Sequence, residues 1–170
     1  YASSGEIGFL CTPGKLAVSA GTAAEYGFSY GSNVGPDDVT LLDVLVQAHV
    51  LTYGDSFASN PSDYLVSSYG WIRKAFGIES SNNVQLVNGD MLADDLGTGY
   101  TADDAVLSDG DVIEFIFGVA EYPNLDVYSY FSDTTTGTKL TSVVAGKGTA
   151  LNLTLTGGYL YSMLYPERYG

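Results

Sequence analysis

Eight carboxylates and no basic residue fall between positions 90 and 114, at 90, 94, 95, 103, 104, 109, 111 and 114. Loop carboxylates at this density can supply the roughly six to eight oxygens that a calcium ion takes. Asp90, Asp94, Asp95, Asp103 and Asp104 are therefore candidate calcium ligands. Their spacing is not that of a helix-loop-helix calcium loop, and the simpler reading is a solvated, Gly-rich acidic loop that keeps the protein soluble. Asp94-Asp95 and Asp103-Asp104 also raise glycosidase chemistry, which needs two carboxyls facing each other across a cleft. Adjacent loop residues point apart, so that geometry is missing.

Three aromatics are candidates for contact with a ligand. Tyr69 and Trp71 flank Gly70 beside the only adjacent basic pair, Arg73-Lys74, and Tyr100 lies in the acidic stretch. Exposed rings of this kind present large, rigid apolar faces with a polar handle. Nucleophilic catalysis finds no support. A Ser-His-Asp arrangement would have to use His49, the single histidine, and no Gly-x-Ser-x-Gly elbow occurs. There is no phosphate loop of the Gly-Lys-Ser/Thr type. Cys11 is the single cysteine, which excludes an internal disulfide and a Cys/His metal cluster, and in GFLCTPG it reads as a small apolar strand residue. The residues predict neither an enzyme nor a bound cofactor.

Twenty acidic residues against six basic ones give a net charge of −14, which repels phosphate backbones and anionic lipid. No nucleic-acid partner is expected. No apolar run reaches the about 18 residues a spanning helix needs, so no membrane insertion is expected. Apolar residues at 45% and aromatics at 13% exclude intrinsic disorder.

Residues 5–30 read as strands: GEIGFLCT and KLAVSAG around Pro13-Gly14, then EYGFSYG with Tyr26, Phe28 and Tyr30 at the period of two that faces a core. The strongest helix signal follows. Thr40 caps it, Asp43 completes a capping box, Val39 and Val44 form a staple, and Leu42, Leu45, Val46 and His49 share the packed face. On that face His49 reads as a satisfied core residue rather than a catalyst. Residues 52–63 read as a loop. The spacing of Leu65, Tyr69, Ile72 and Phe76 predicts a second helix ending at Gly77. Asn88-Gly89 predicts a tight hairpin between VQL and DML, and Asp109-Gly110 a turn before the strand of Val112, Ile113, Phe115 and Phe117.

The order of hairpin, capped helix, VQLVNGDML and AVLSDGDVIEFIFG resembles the transcobalamin C-terminal-like domain of bacterial surface proteins. The matching motifs are Thr40 to Leu45, Val87-Asn88-Gly89 and Gly110-Asp111-Val112-Ile113, within residues 5–118. Val84 and Leu86 stand where that family usually has an aromatic pair. The resemblance implies a β-grasp-like fold, a curved mixed sheet with one main helix packed across it. In vitamin B12 carriers the related domain covers one side of a corrinoid, and bacterial members are mostly modules of secreted or wall-attached proteins.

The remaining residues, 119–170, carry strand-like segments about every ten residues, too few for a sandwich of about 100 residues. The chain thus reads as a β-grasp-like domain over 1–118 and a β-rich extension or partial sandwich-like module over 119–170, in the α+β class. The sequon Asn152-Leu153-Thr154 lies in an alternating strand, where Asn152 and Thr154 form the solvent face. Tyr1 in place of Met, scarce Lys and abundant Tyr, Gly, Ser and Thr predict an extracellular or wall-attached protein after removal of a leader. The expected function is a noncatalytic recognition or adhesion module of a bacterial surface or secreted protein. Its partners would be other modules of a longer surface protein, or a host or cell-wall partner. The alternative is a domain that binds a small ligand, corrinoid or glycan.

Overall fold

Thr40 holds extended backbone at φ −107° and ψ 164°, which turns its hydroxyl back over the first turn of a helix α2, Leu41–Tyr53. Its Oγ1 accepts the Asp43 N–H at 3.3 Å while the Asp43 carboxylate accepts the Thr40 N–H at 2.8 Å, so the capping box forms as the sequence predicts. Asp43 reaches further than the box. Its Oδ1 also accepts the Ala23 N–H at 2.8 Å and the Tyr30 hydroxyl at 2.5 Å, drawing a short helix α1, Thr22–Glu25, onto α2. Burial, and then the bond to Asp43, push the Tyr30 phenol up to about 12, so it stays a donor at neutral pH. Thr40→Ala removes the side-chain half of the box and is expected to cost about 1 kcal/mol in a urea titration. An unchanged midpoint would contradict that role.

The computed structural model describes residues 10–11, 14–79, 83–92, 101–117, 127–140, 146–148 and 150–159. The chain divides into two compact units, Tyr1–Val119 and Ala120–Gly170. In the first, Leu41, Leu42, Leu45 and Val46 of α2 pack with Phe57 of helix α3, Asp55–Ser59, and with Leu65, Ile72, Ala75, Ala102 and Ala105. Tyr26, Phe28 and Tyr30 lie against this cluster, as their alternation predicts, but residues 15–19 and 28–30 are not in strands. The expected strand residues 5–9 lie outside the described residues.

Residues 66–79 correct the expected second helix. They form a β meander: β1 Val66–Ser68, β2 Trp71–Ala75 and β3 Ile78–Glu79, all antiparallel. Tyr69-Gly70 and Phe76-Gly77 supply the two turns, each with both residues at positive φ (52° and 74°, 51° and 77°), which a helix cannot contain. The helix-like spacing of Leu65, Tyr69, Ile72 and Phe76 does not mark one buried face: Leu65 and Ile72 are buried, whereas Tyr69 is an exposed turn residue. Ser67 pairs with Ile72 but Val66 pairs with Lys74, so Arg73 is the extra residue of a bulge. The bulge shifts the alternation by one, and Ile72 and Ala75, three apart, both face inward.

A second antiparallel sheet runs β5-β4-β6, from β4 Asn83–Val87, β5 Asp90–Met91 and β6 Ile113–Phe117. Asn88-Gly89 makes the predicted tight turn, at φ 56° and 90°. Asn88 then binds the start of β6: its Nδ2 donates to Asp111 at 2.8 Å and its Oδ1 accepts the Val112 N–H at 2.9 Å. The first unit is therefore mixed α+β, but it is not the single curved sheet of a β-grasp. Two three-stranded antiparallel sheets take its place: β1-β2-β3, closed by two tight turns, and β5-β4-β6, in which β6 joins β4 from more than twenty residues downstream.

In the second unit β7, Val127–Asp133, pairs antiparallel with β8, Leu153–Tyr159. Asn152 and Thr154 are exposed, and so are Leu153, Leu155 and Phe131. Asp133 turns the chain by accepting the Thr135 and Thr136 N–H groups at 2.8 Å, bonds that hold its carboxyl below the usual range.

Candidate functional site

The β1–β2 hairpin carries two of the three candidate aromatics at its end. Tyr69 occupies the first turn position and is 95% exposed, and Trp71, the first residue of β2, is 50% exposed. Positive φ is unusual for a bulky residue, and the turn prefers Asn, Asp or Gly there. Tyrosine at this position is strained by about 1 kcal/mol and points its ring into water. Arg73, the bulged residue, is also exposed and has no ion pair among the described residues. Its neighbour Lys74 is engaged with Glu79 at 3.3 Å and the Ser62 carbonyl at 3.5 Å.

The other turn residue explains why the tip stays in place. Gly70 is buried, and a Cβ added there would collide with the side chains of Thr101 and Asp103. Its carbonyl accepts the Ala102 N–H at 3.3 Å. The segment behind the tip is itself bound to α2, since the Leu41 and Leu42 N–H groups donate to Ala105 and Ala102 at 3.0 and 2.8 Å. Residues 101–105 thus link the tip to the start of the core helix.

Asp103 and Asp104 belong to this support and not to a solvated loop. Both are partly buried; Asp103 accepts the Thr101 hydroxyl, and the Asp103 carbonyl accepts the Gly31 N–H at 3.2 Å. The Asp104 side chain fills the space above Gly31, where one of its oxygens is buried without a hydrogen-bond partner. The physical reason is local: a turn that must present Ala102 and Ala105 to the core carries its intervening carboxylates inward with it. Asp90 lies in β5, while Tyr100, Asp94 and Asp95 lie outside the described residues. Among the described residues no three acidic, His or Cys side chains are grouped to hold a metal ion.

Sequence reasoning names Tyr69 and Trp71 beside Gly70 and Arg73 but assigns the stretch to a helix with Tyr69 on its packed face. It misses that Tyr69 and Gly70 make a turn and that Arg73 is the bulged residue of the strand that follows. The signal was present in Tyr69-Gly70 and Phe76-Gly77, two X-Gly pairs seven residues apart, which fit turns as well as breaks in a helix.

His49 is fully buried, and burial lowers its pKa from 6.5 to about 4. No described helix is long and apolar enough to cross a membrane. Comparison with protein-family models, with curated proteins and with solved structures finds no match to this chain.

Proposed function

We propose that this chain is a noncatalytic recognition or adhesion module of a bacterial surface or secreted protein, and that it makes contact through the tip of the β1–β2 hairpin. One observation carries the reading: Tyr69 is held at φ 52° and 95% exposed beside a half-exposed Trp71, on a turn that Thr101 and Asp103 back from behind. An aromatic kept in a strained, fully wet position is retained against stability, and such strain concentrates at working surfaces. The extracellular setting rests on the sequence alone: the single cysteine, the scarce lysine and motifs that resemble those of transcobalamin C-terminal-like modules.

The same rings also support the second reading, capture of a glycan or corrinoid, because two exposed aromatics two residues apart each offer a face on which such a ligand can stack. The two readings differ in what is retained. Whole chain is passed over bacterial cell walls, over host extracellular matrix, over a glycan panel and over cobalamin. Retention on wall or matrix without saturable binding of the small ligands supports the adhesion reading, and saturable micromolar glycan or cobalamin binding supports the other.

Tyr69→Asn separates function from fold. Asparagine tolerates the left-handed turn, so the variant is expected to be as stable as the parent or more stable by up to about 1 kcal/mol. Its binding is expected to fall roughly tenfold, the loss of one ring contact. Unaltered binding would remove the tip from the contact surface.

A further inference from the structure

His49 joins three elements from the inner face of α2. Its Nδ1 lies 2.6 Å from the Leu45 carbonyl, and its Nε2 lies 2.8 Å from the Phe76 nitrogen. A carbonyl accepts and a backbone N–H donates, so Nδ1 carries the proton and Nε2 is the acceptor. The ring stacks on Phe76 at 4.1 Å, with Phe57 of α3 at 5.3 Å.

Phe76 and Gly77 form the turn between β2 and β3, and their polar backbone groups are held from outside the sheet. His49 takes the Phe76 N–H, the Tyr53 hydroxyl donates to the Phe76 carbonyl at 3.2 Å, and the Gly77 N–H donates to the Tyr64 carbonyl at 3.0 Å. Phe76 is strained at φ 51°, a conformation that these outside bonds hold in place.

We propose that His49 is a proton-operated latch: protonation of Nε2 turns the acceptor of the Phe76 N–H into a second donor, and the Phe76-Gly77 turn leaves α2. The titratable group facing the ring is one phenol, Tyr53 from α2, and a phenol stays neutral in acid; the segment before β1 presents the Tyr64 backbone carbonyl. α3 contributes Phe57 and the turn contributes Phe76, neither titratable, and no charged side chain among the described residues acts on the ring. The Tyr64 carbonyl favours the charged ring, and it is also the acceptor of the Gly77 N–H. A charged His49 therefore competes for the turn's second attachment as well as breaking the first. In the released turn the imidazole meets water and titrates at its ordinary value, so the open form binds a proton that the closed form refuses. Acid drives opening.

The latch stands on this geometry alone, whatever the chain binds. Amide hydrogen exchange of the whole protein, corrected for intrinsic rates, tests it between about pH 7 and about pH 4.5. Protection of Phe76 and Gly77 is expected to fall roughly tenfold or more, with β4 amides unchanged. Unchanged protection at Phe76, or an equal fall across β4, would overturn the proposal. His49→Gln keeps a donor and an acceptor without a titrating site, and its Phe76 exchange is expected to lose this pH dependence. Should that variant not fold, the wild-type imidazole nitrogen shifts serve instead: their midpoint must coincide with the loss of Phe76 protection, and separate midpoints refute the latch.

Discussion

Asp43→Ala is expected to destabilise the first unit by at least about 4 kcal/mol, enough to leave it largely unfolded at room temperature. The carboxylate is fully buried and accepts from the Ala23 N–H, the Thr40 N–H, the Tyr30 hydroxyl and the Thr40 hydroxyl. Truncation strands several donors away from water, and each one left unpaired costs about 1–3 kcal/mol. The total stability of a small domain is only about 5–15 kcal/mol. The same bonds attach α1 to α2, so α1 loses its tether along with the cap. Asp43→Asn should fall between this variant and the wild type, because the amide keeps one acceptor and turns an N–H toward donors. Urea titration followed by far-ultraviolet circular dichroism checks the series. A loss below about 1 kcal/mol for Asp43→Ala would show that the carboxylate merely caps a helix.

The second large effect depends on pH. Burial lowers the His49 pKa from 6.5 to about 4, so the folded form holds this proton less tightly than the unfolded chain does. The contribution of a neutral His49 is complete above about pH 6.5, declines as the pH drops, and levels off below about 4. The full span is about 3 kcal/mol. Twenty carboxylates titrate over part of the same range and relieve their mutual repulsion as they do. His49→Gln keeps those carboxylates, so the difference between wild-type and variant stabilities isolates the histidine. That difference is expected to shift by about 3 kcal/mol in favour of the variant between about pH 7.5 and about pH 4. Parallel curves would mean that the ring is not held neutral.

The elements legible in the sequence are those that short-range chemistry determines. Thr40 and Asp43 are three apart, as a capping box requires, and Asn88-Gly89 has the positive-φ residues of its turn. Both occur where expected. The meander was hidden because Leu65, Tyr69, Ile72 and Phe76 fall at helical spacing, and because tyrosine and phenylalanine are poor residues for the turns they make. Asp43 was legible as a cap residue but not as the acceptor for Ala23 and Tyr30, which lie 20 and 13 residues earlier. The site was half legible. Tyr69 and Trp71 stand out by type, whereas Asp103 and Asp104 resemble solvated carboxylates until the backbone of residues 101–105 is seen to cap α2.

Trp71 is the only tryptophan, so its fluorescence reports on the proposed contact surface without a label. The measurement is iodide quenching of Trp71 in the free chain and in the chain retained on the cell-wall or matrix preparation. Recognition through the hairpin tip predicts that a ring 50% exposed in the free protein becomes shielded on binding, with a blue-shifted emission. Protein that is retained while Trp71 stays as accessible to iodide as before would place the contact elsewhere and contradict the account.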